Sequence, residues 1–195
     1  AAGAPAEAAA GGAAADEAEI EVLRPNGVPV VCLRHPEGSE ALVDARGGRI
    51  LSWRSAAGET AAADGLQLLS LEMIEHAAAL PWRVTRLEDS NNEPSMTLCC
   101  GGEAYSAWWL ARRTLTVGAA WLRDELVVEN ISSGEESFAA PAWPPQEPPA
   151  ATPQHAPGPR PLGEAGSGRG RVALPPRGRW VAGQEWSAGA AAAVT

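Results

Sequence analysis

The chain has 195 residues, enough for one domain with a sizeable core or for a domain and a tail. Its 15 cations, every one an arginine, face 24 acidic residues, giving a formal net charge of -9 and a pI near 4.8. That balance argues against nucleic acid as the main partner, because a phosphate-binding face needs clustered cations, and no apolar run approaches the ~20 residues needed to span a bilayer.

Residues 1–18 are alanine-rich, with interspersed acids and two adjacent glycines, and are expected to form a flexible leader. They have neither the basic start nor the leucine-rich segment of a secretory signal, and the absence of an initiator Met fits a processed chain. From residue 19 to 140 short β-runs alternate with turn chemistry. "EIEVL" (19–23) stops at "RPNG", where Asn26-Gly27 is a hairpin signal, and "VPVVCL" (28–33) stops at "HPEGS". "EALVD" (40–44) alternates, "ARGG" turns, and "RILSWR" (49–54) follows. Next come "LQLLSLEMI" (66–74), "WRVTRL" (82–87), "SMTLCC" (95–100), "AWWLARRTLTV" (107–117), "AAWLRDELVVEN" (119–130) and "ESFAA" (136–140). Runs spaced by about 8 to 12 residues predict an all-β, antiparallel β-sandwich or barrel. Only "LQLLSLEMIEHAAAL" could instead be helical.

Residues 141–195 hold eleven of the seventeen prolines. Proline removes ladder donors and fixes φ, so this stretch is expected to be a disordered, Pro/Gly/Arg-rich tail rather than part of a central sheet. Trp180 and Trp186, close to arginines, could anchor it to a partner. Three cysteines, Cys32, Cys99 and Cys100, make no even disulfide framework and fit no zinc spacing. They read as reduced core residues in a reducing compartment, and neither metal nor cofactor is expected.

The segment "VCLRHPEGSEALVDARGGRILSWRSAAGET" resembles the start of the hexose-6-phosphate mutarotases, a branch of the aldose 1-epimerase family. The matching elements are His35-Pro36, the alternating strand 41–44, the glycine pair Gly47-Gly48, Ser52-Trp53 and Gly58-Glu59. A glycine pair suits a tight turn at positive φ, and Trp53 would bury its ring between sheets. Further on, "HAAALPWRVTRLED" (76–89) is similar to the family's "H-G-F-A-R-N-x-x-W" segment, and residues 113–144 to its pair of long strands and the strand that reaches "H-T-Y-F". The resemblance implies a partial mutarotase-like sandwich over residues 19–140 and covers residues 28–145.

In that family two histidines and a late carboxylate open the sugar ring by general acid–base transfer, with arginines on the sugar phosphate. His76 stands where the first histidine is expected, near Glu72 and Glu75, but Ala77, Ala78 and Ala79 replace the residues that follow it. Pro141 falls at the second histidine and can neither donate nor accept a side-chain proton. The site-shaping "R-G-G-x-P" segment and the late glutamate have no counterpart. His35, in a turn, and His155, in the proline-rich tail, read as solvated. Trp108-Trp109 could offer one ring to a pyranose or to an interface, since alternation sends neighbours to opposite faces.

What the resemblance implies is therefore a scaffold that has lost catalysis and works as a binding or assembly subunit. By analogy with a mutarotase-like accessory subunit in photosynthetic organisms, the setting would be a chloroplast NAD(P)H dehydrogenase-like complex. The alternatives are a hexose or hexose-6-phosphate 1-epimerase, and a carbohydrate-binding module without chemistry. A partial sandwich would leave sheet edges uncovered, so another protein chain is the expected partner.

Overall fold

A computed structural model describes residues 17–58, 60–62, 80–139, 160–162 and 171–187. Five strands follow one another in chain order in the first sheet: β1 (Glu19–Leu23), β2 (Val30–Arg34), β3 (Glu40–Asp44), β4 (Ile50–Arg54) and β5 (Thr60–Ala62). All neighbours are antiparallel, as short turns require. The hairpin turn between β1 and β2 is built by Pro25, Asn26 at φ 53° and Gly27 at φ 78°. Between β3 and β4, Gly48 takes φ 64° and lies so close to the opposite sheet that a Cβ there would touch both Leu98 methyls at 3.5 Å. Glycine is favoured here by its positive φ, while a Cβ would sit in ordinary van der Waals contact with Leu98.

The second sheet has six strands in the order β11 (Arg160–Leu162), β13 (Arg179–Ser187), β9 (Trp121–Asn130), β8 (Trp109–Val117), β7 (Glu93–Gly101) and β6 (Arg83–Ser90). Period-two alternation is strict in its central strands: along β9 every second residue, from Leu122 to Asn130, is buried. A two-stranded sheet pairs β10 (Glu136–Ala139) with β12 (Arg171–Leu174).

The inward face of the six-stranded sheet carries two hydrophobic clusters. Met96, Leu98, Leu115, Val117, Leu122 and Trp186 meet Val31, Leu33, Ala41, Val43, Ile50 and Trp53 of the first sheet. Farther along the same strands, Cys100, Trp109, Ala111, Leu126, Val128, Trp180 and Ala182 meet Phe138 and Leu174 of the small sheet. Phe138 and Trp180 pack edge to face, with centroids 5.4 Å apart and planes at 86°. The result is a β-sandwich whose large sheet is covered in two parts.

Two buried polar residues fasten these parts. Ser39 donates its hydroxyl to the Ala119 carbonyl in the turn between β8 and β9 and accepts from Ala56 N at 3.1 Å, tying the two large sheets together. Asn130, at the end of β9, donates Nδ2 to Gly134 O and Leu174 O, both at 2.8 Å, and its Oδ1 accepts from Ser132 N at 2.9 Å. One side chain thus joins the turns flanking β10 and β12, which is how a buried amide satisfies most of its bonding capacity.

The sequence reading of the region after residue 140 is corrected for 160–162, 171–174 and 179–187, which are strands rather than tail. Pro161 lies within β11 and Pro175-Pro176 in the turn after β12, but residues 177–187 contain no proline, and along β13 Trp180, Ala182, Gln184 and Trp186 all point inward. Full ladder pairing of β13 with β9, from Arg179↔Glu129 to Ser187↔Trp121, follows because that window alternates and has every backbone donor. The rest of the proposed tail, the leader to residue 16 and the run at 66–74 lie outside the described residues.

Candidate functional site

Between the two hydrophobic clusters, the inward face of the large sheet carries a polar row. Arg113 comes from β8, Asp124 from β9 and Gln184 from β13, each at a position whose neighbours two residues away are apolar core. Gln184 is directly opposite Asp124 in the ladder, and Arg113 sits one step diagonal to it. Arg113 Nε lies 3.1 Å from Asp124 Oδ1, and Gln184 Nε2 donates to Asp124 Oδ2 at 3.1 Å. The Arg113 guanidinium carbon is 5.2 Å from the centroid of the Trp82 ring, a cation–π distance. On its other flank the Gly48 turn approaches, placing a built Cβ 3.7 Å from Arg113 Cδ.

The row is sealed. Arg113 is 4% exposed, Asp124 and Gln184 0%. A charge pair in this position attracts strongly because water is excluded, and its geometry fixes the register of three strands at once. It can hold the sheet in one alignment; a proton donor or acceptor for a soluble substrate has to be reachable, and this pair is not.

The tryptophan pair is placed differently from a flat binding platform. Trp109 is 2% exposed and part of the second cluster; its ring packs on Gly101, where a Cβ would fall 2.4 Å from the indole. Trp108 is half-buried against the same cluster, and its carbonyl accepts from Ile131 N at 2.8 Å. Of the pair, Trp108 is therefore the one that keeps some exposure to solvent. His35 is in the turn between β2 and β3, where its Nδ1 accepts from Glu37 N at 3.1 Å. His76, Glu72, Glu75, Pro141 and His155 lie outside the described residues.

Among the described residues no three His, Cys, Asp or Glu gather where a metal ion could be held. All three cysteines are free thiols. Burial, reinforced by the nearby Glu40, pushes the Cys32 thiol up to about 11, and burial also raises Cys100. Both stay protonated at neutral pH and are poor nucleophiles.

Sequence reasoning missed the polar row, although its signal was present. If Leu115 and Val117 face inward, so does Arg113; if Leu122 and Leu126 do, so does Asp124. Opposite charges at inward positions of consecutive strands announce a buried pair.

The fold and the row define an all-β antiparallel sandwich with an internal ionic lock. Compared with known proteins, the sequence matches no family model and no curated protein.

Proposed function

We propose that this protein is a non-catalytic β-sandwich that works by binding, a mutarotase-like scaffold kept for assembly into a larger complex. The observation that carries the reading is the burial of the inward face: among the described residues, the charged groups buried there, Arg113 and Asp124, are locked into the core at 4% and 0% exposure. The segment that resembles the mutarotases supports it, because Gly48 and Trp53 serve packing between sheets. A sugar platform at the tryptophan pair would have to use Trp108 alone. On the same resemblance, the complex is a plastid NAD(P)H dehydrogenase-like assembly.

The test has two arms. Purified protein is added to freshly dissolved α-glucose, α-galactose and glucose 6-phosphate, and anomer exchange is followed by polarimetry or a coupled assay; the expected rate is the spontaneous one. Acceleration that disappears in His76→Ala would overturn the proposal in favour of a 1-epimerase. Native isolation from membranes and stroma is expected to recover a stoichiometric complex, and recovery of the isolated chain alone also defeats it.

A further inference from the structure

The strand β6 ends the six-stranded sheet, and no described strand pairs with its outer side. Unpaired edges are normally blunted, and β6 has a bulge between Val84 and Arg86. Beyond that bulge the strand is regular, exposed except at the partly buried Glu88, and reads Arg86-Leu87-Glu88-Asp89. Leu87 is 39% exposed, a large apolar side chain on the core side of an open edge. The facing strand β1, which contacts β6, carries Val22, 48% exposed.

The hairpin into β7 decides which backbone groups of β6 are available. Asn91 and Asn92, at φ 58° and 63°, form a two-residue turn of the type that makes the flanking Ser90–Glu93 pair a hydrogen-bonded one. Hydrogen-bonded and non-bonded pairs then alternate, so Ser90, Glu88 and Arg86 turn their amides and carbonyls toward β7. The Ser95 hydroxyl reaches the Glu88 carbonyl at 3.4 Å and the Thr85 hydroxyl the Thr97 carbonyl at 3.3 Å, as that parity requires. Leu87 and Asp89 consequently direct their N–H and C=O groups outward.

We propose that β6 is the seam of a symmetric homodimer, two copies pairing antiparallel about Leu87. Parity and charge select this register. A two-fold axis at Arg86 would set arginine against arginine, and axes at Glu88 or Asp89 would set carboxylate against carboxylate. An axis at Leu87 makes Leu87 the central hydrogen-bonded pair with the partner's Leu87. It also places Arg86 opposite the partner's Glu88, twice by symmetry, in non-bonded pairs whose side chains come closest. In the single chain these two side chains already form an ion pair with each other on an exposed face, Arg86 being 66% exposed, so dimerisation exchanges partners rather than stripping a charge. The strand is self-complementary only in this register, and the inference stands independently of the accessory-subunit reading.

The experiment is light scattering or sedimentation equilibrium on the full chain across the micromolar range, with tryptophan fluorescence as the folding control. A mass of twice 20.2 kDa is expected, falling to the monomer on dilution and more readily in high salt. Arg86→Glu places two carboxylates together at each symmetric contact and is expected to weaken association on the order of tenfold or more. The double exchange Arg86→Glu/Glu88→Arg restores it, and Leu87→Lys abolishes it by a separate route. A monomer at tens of micromolar overturns the proposal. So does a dimer that ignores Arg86→Glu and Leu87→Lys, or one that the double exchange fails to restore.

Discussion

Replacing Asp124 by leucine removes the carboxylate that Arg113 Nε meets at 3.1 Å and to which Gln184 Nε2 donates at 3.1 Å. Arg113, only 4% exposed, must then remain charged inside the sandwich without that partner, because a guanidinium does not give up its proton. Breaking one side of a buried pair costs about 3–5 kcal/mol. Against a total stability on the order of 5–15 kcal/mol, and with about 2 kcal/mol lost per molar urea, the unfolding midpoint should fall by about 1.5–2.5 M. Arg113→Met should cost a comparable amount, since it takes from the 0%-exposed Asp124 the guanidinium whose Nε lies 3.1 Å away. The double variant Arg113→Met/Asp124→Leu replaces both charges by apolar groups of similar volume and should return to within about 1–2 kcal/mol of the original. Urea titration followed by tryptophan fluorescence is the assay, with Trp82 beside Arg113 as a near reporter. A single-variant cost below about 1 kcal/mol, or a double-variant cost equal to the sum of the singles, would show that water reaches the row and refute the reasoning.

Trp186→Ala, emptying a 1%-exposed site in the first cluster, should cost about 3–5 kcal/mol by urea melt, which a residue in a loose tail would not. Asn130→Ala loses donated bonds to Gly134 and Leu174 and should cost about 2–4 kcal/mol, with amide exchange accelerating first in 171–174 and 136–139. Gly101→Ala should destabilise by about 1–3 kcal/mol in thermal melts, because φ is +85° and the new Cβ would meet Trp109 at 2.4 Å. Cys32, with its folded-state thiol raised from 9.0 to about 11, should resist iodoacetamide at pH 8 while the protein is folded. Because ionisation is easier in the unfolded chain, its contribution to stability is intact below pH 9 and declines between pH 9 and about 11; comparing wild type with Cys32→Ala over that window isolates it.

Most strands through β10, though not β5, were legible as runs along the chain because local signals agreed with one another. "EIEVL" and "EALVD" are strands with the bounds their alternation gives, and "RPNG" marks the turn between β1 and β2. Trp53 buries its ring between the sheets, as a tryptophan flanked by polar residues in an alternating strand should. What escaped was β13, whose proline-free, alternating window was averaged into a stretch dominated by the prolines that precede it. Trp180 and Trp186, read as anchors toward another molecule, anchor the chain to itself. The polar row escaped for a different reason. It is a property of pairing between β8, β9 and β13, and a diagonal contact between Arg113 and Asp124 exists only once register is known. Periodicity tells which face a residue occupies, whereas register tells which neighbours share it.

The position of β13 in the large sheet governs when this chain can fold. Its ladder joins residues some 60 apart, as the Gln184–Asp124 and Arg123–Glu185 contacts show, and both hydrophobic clusters draw a tryptophan from it. During synthesis β9 must wait with one side unzipped and its apolar residues wet until residues 179–187 emerge from the ribosome. Closing so long a loop is slow rather than costly, each doubling adding only about 0.6 kcal/mol, so the exposure is one of time. A chaperone that shields the nascent β8–β9 hairpin should therefore raise the yield of this protein more than any gain in the stability of its finished state.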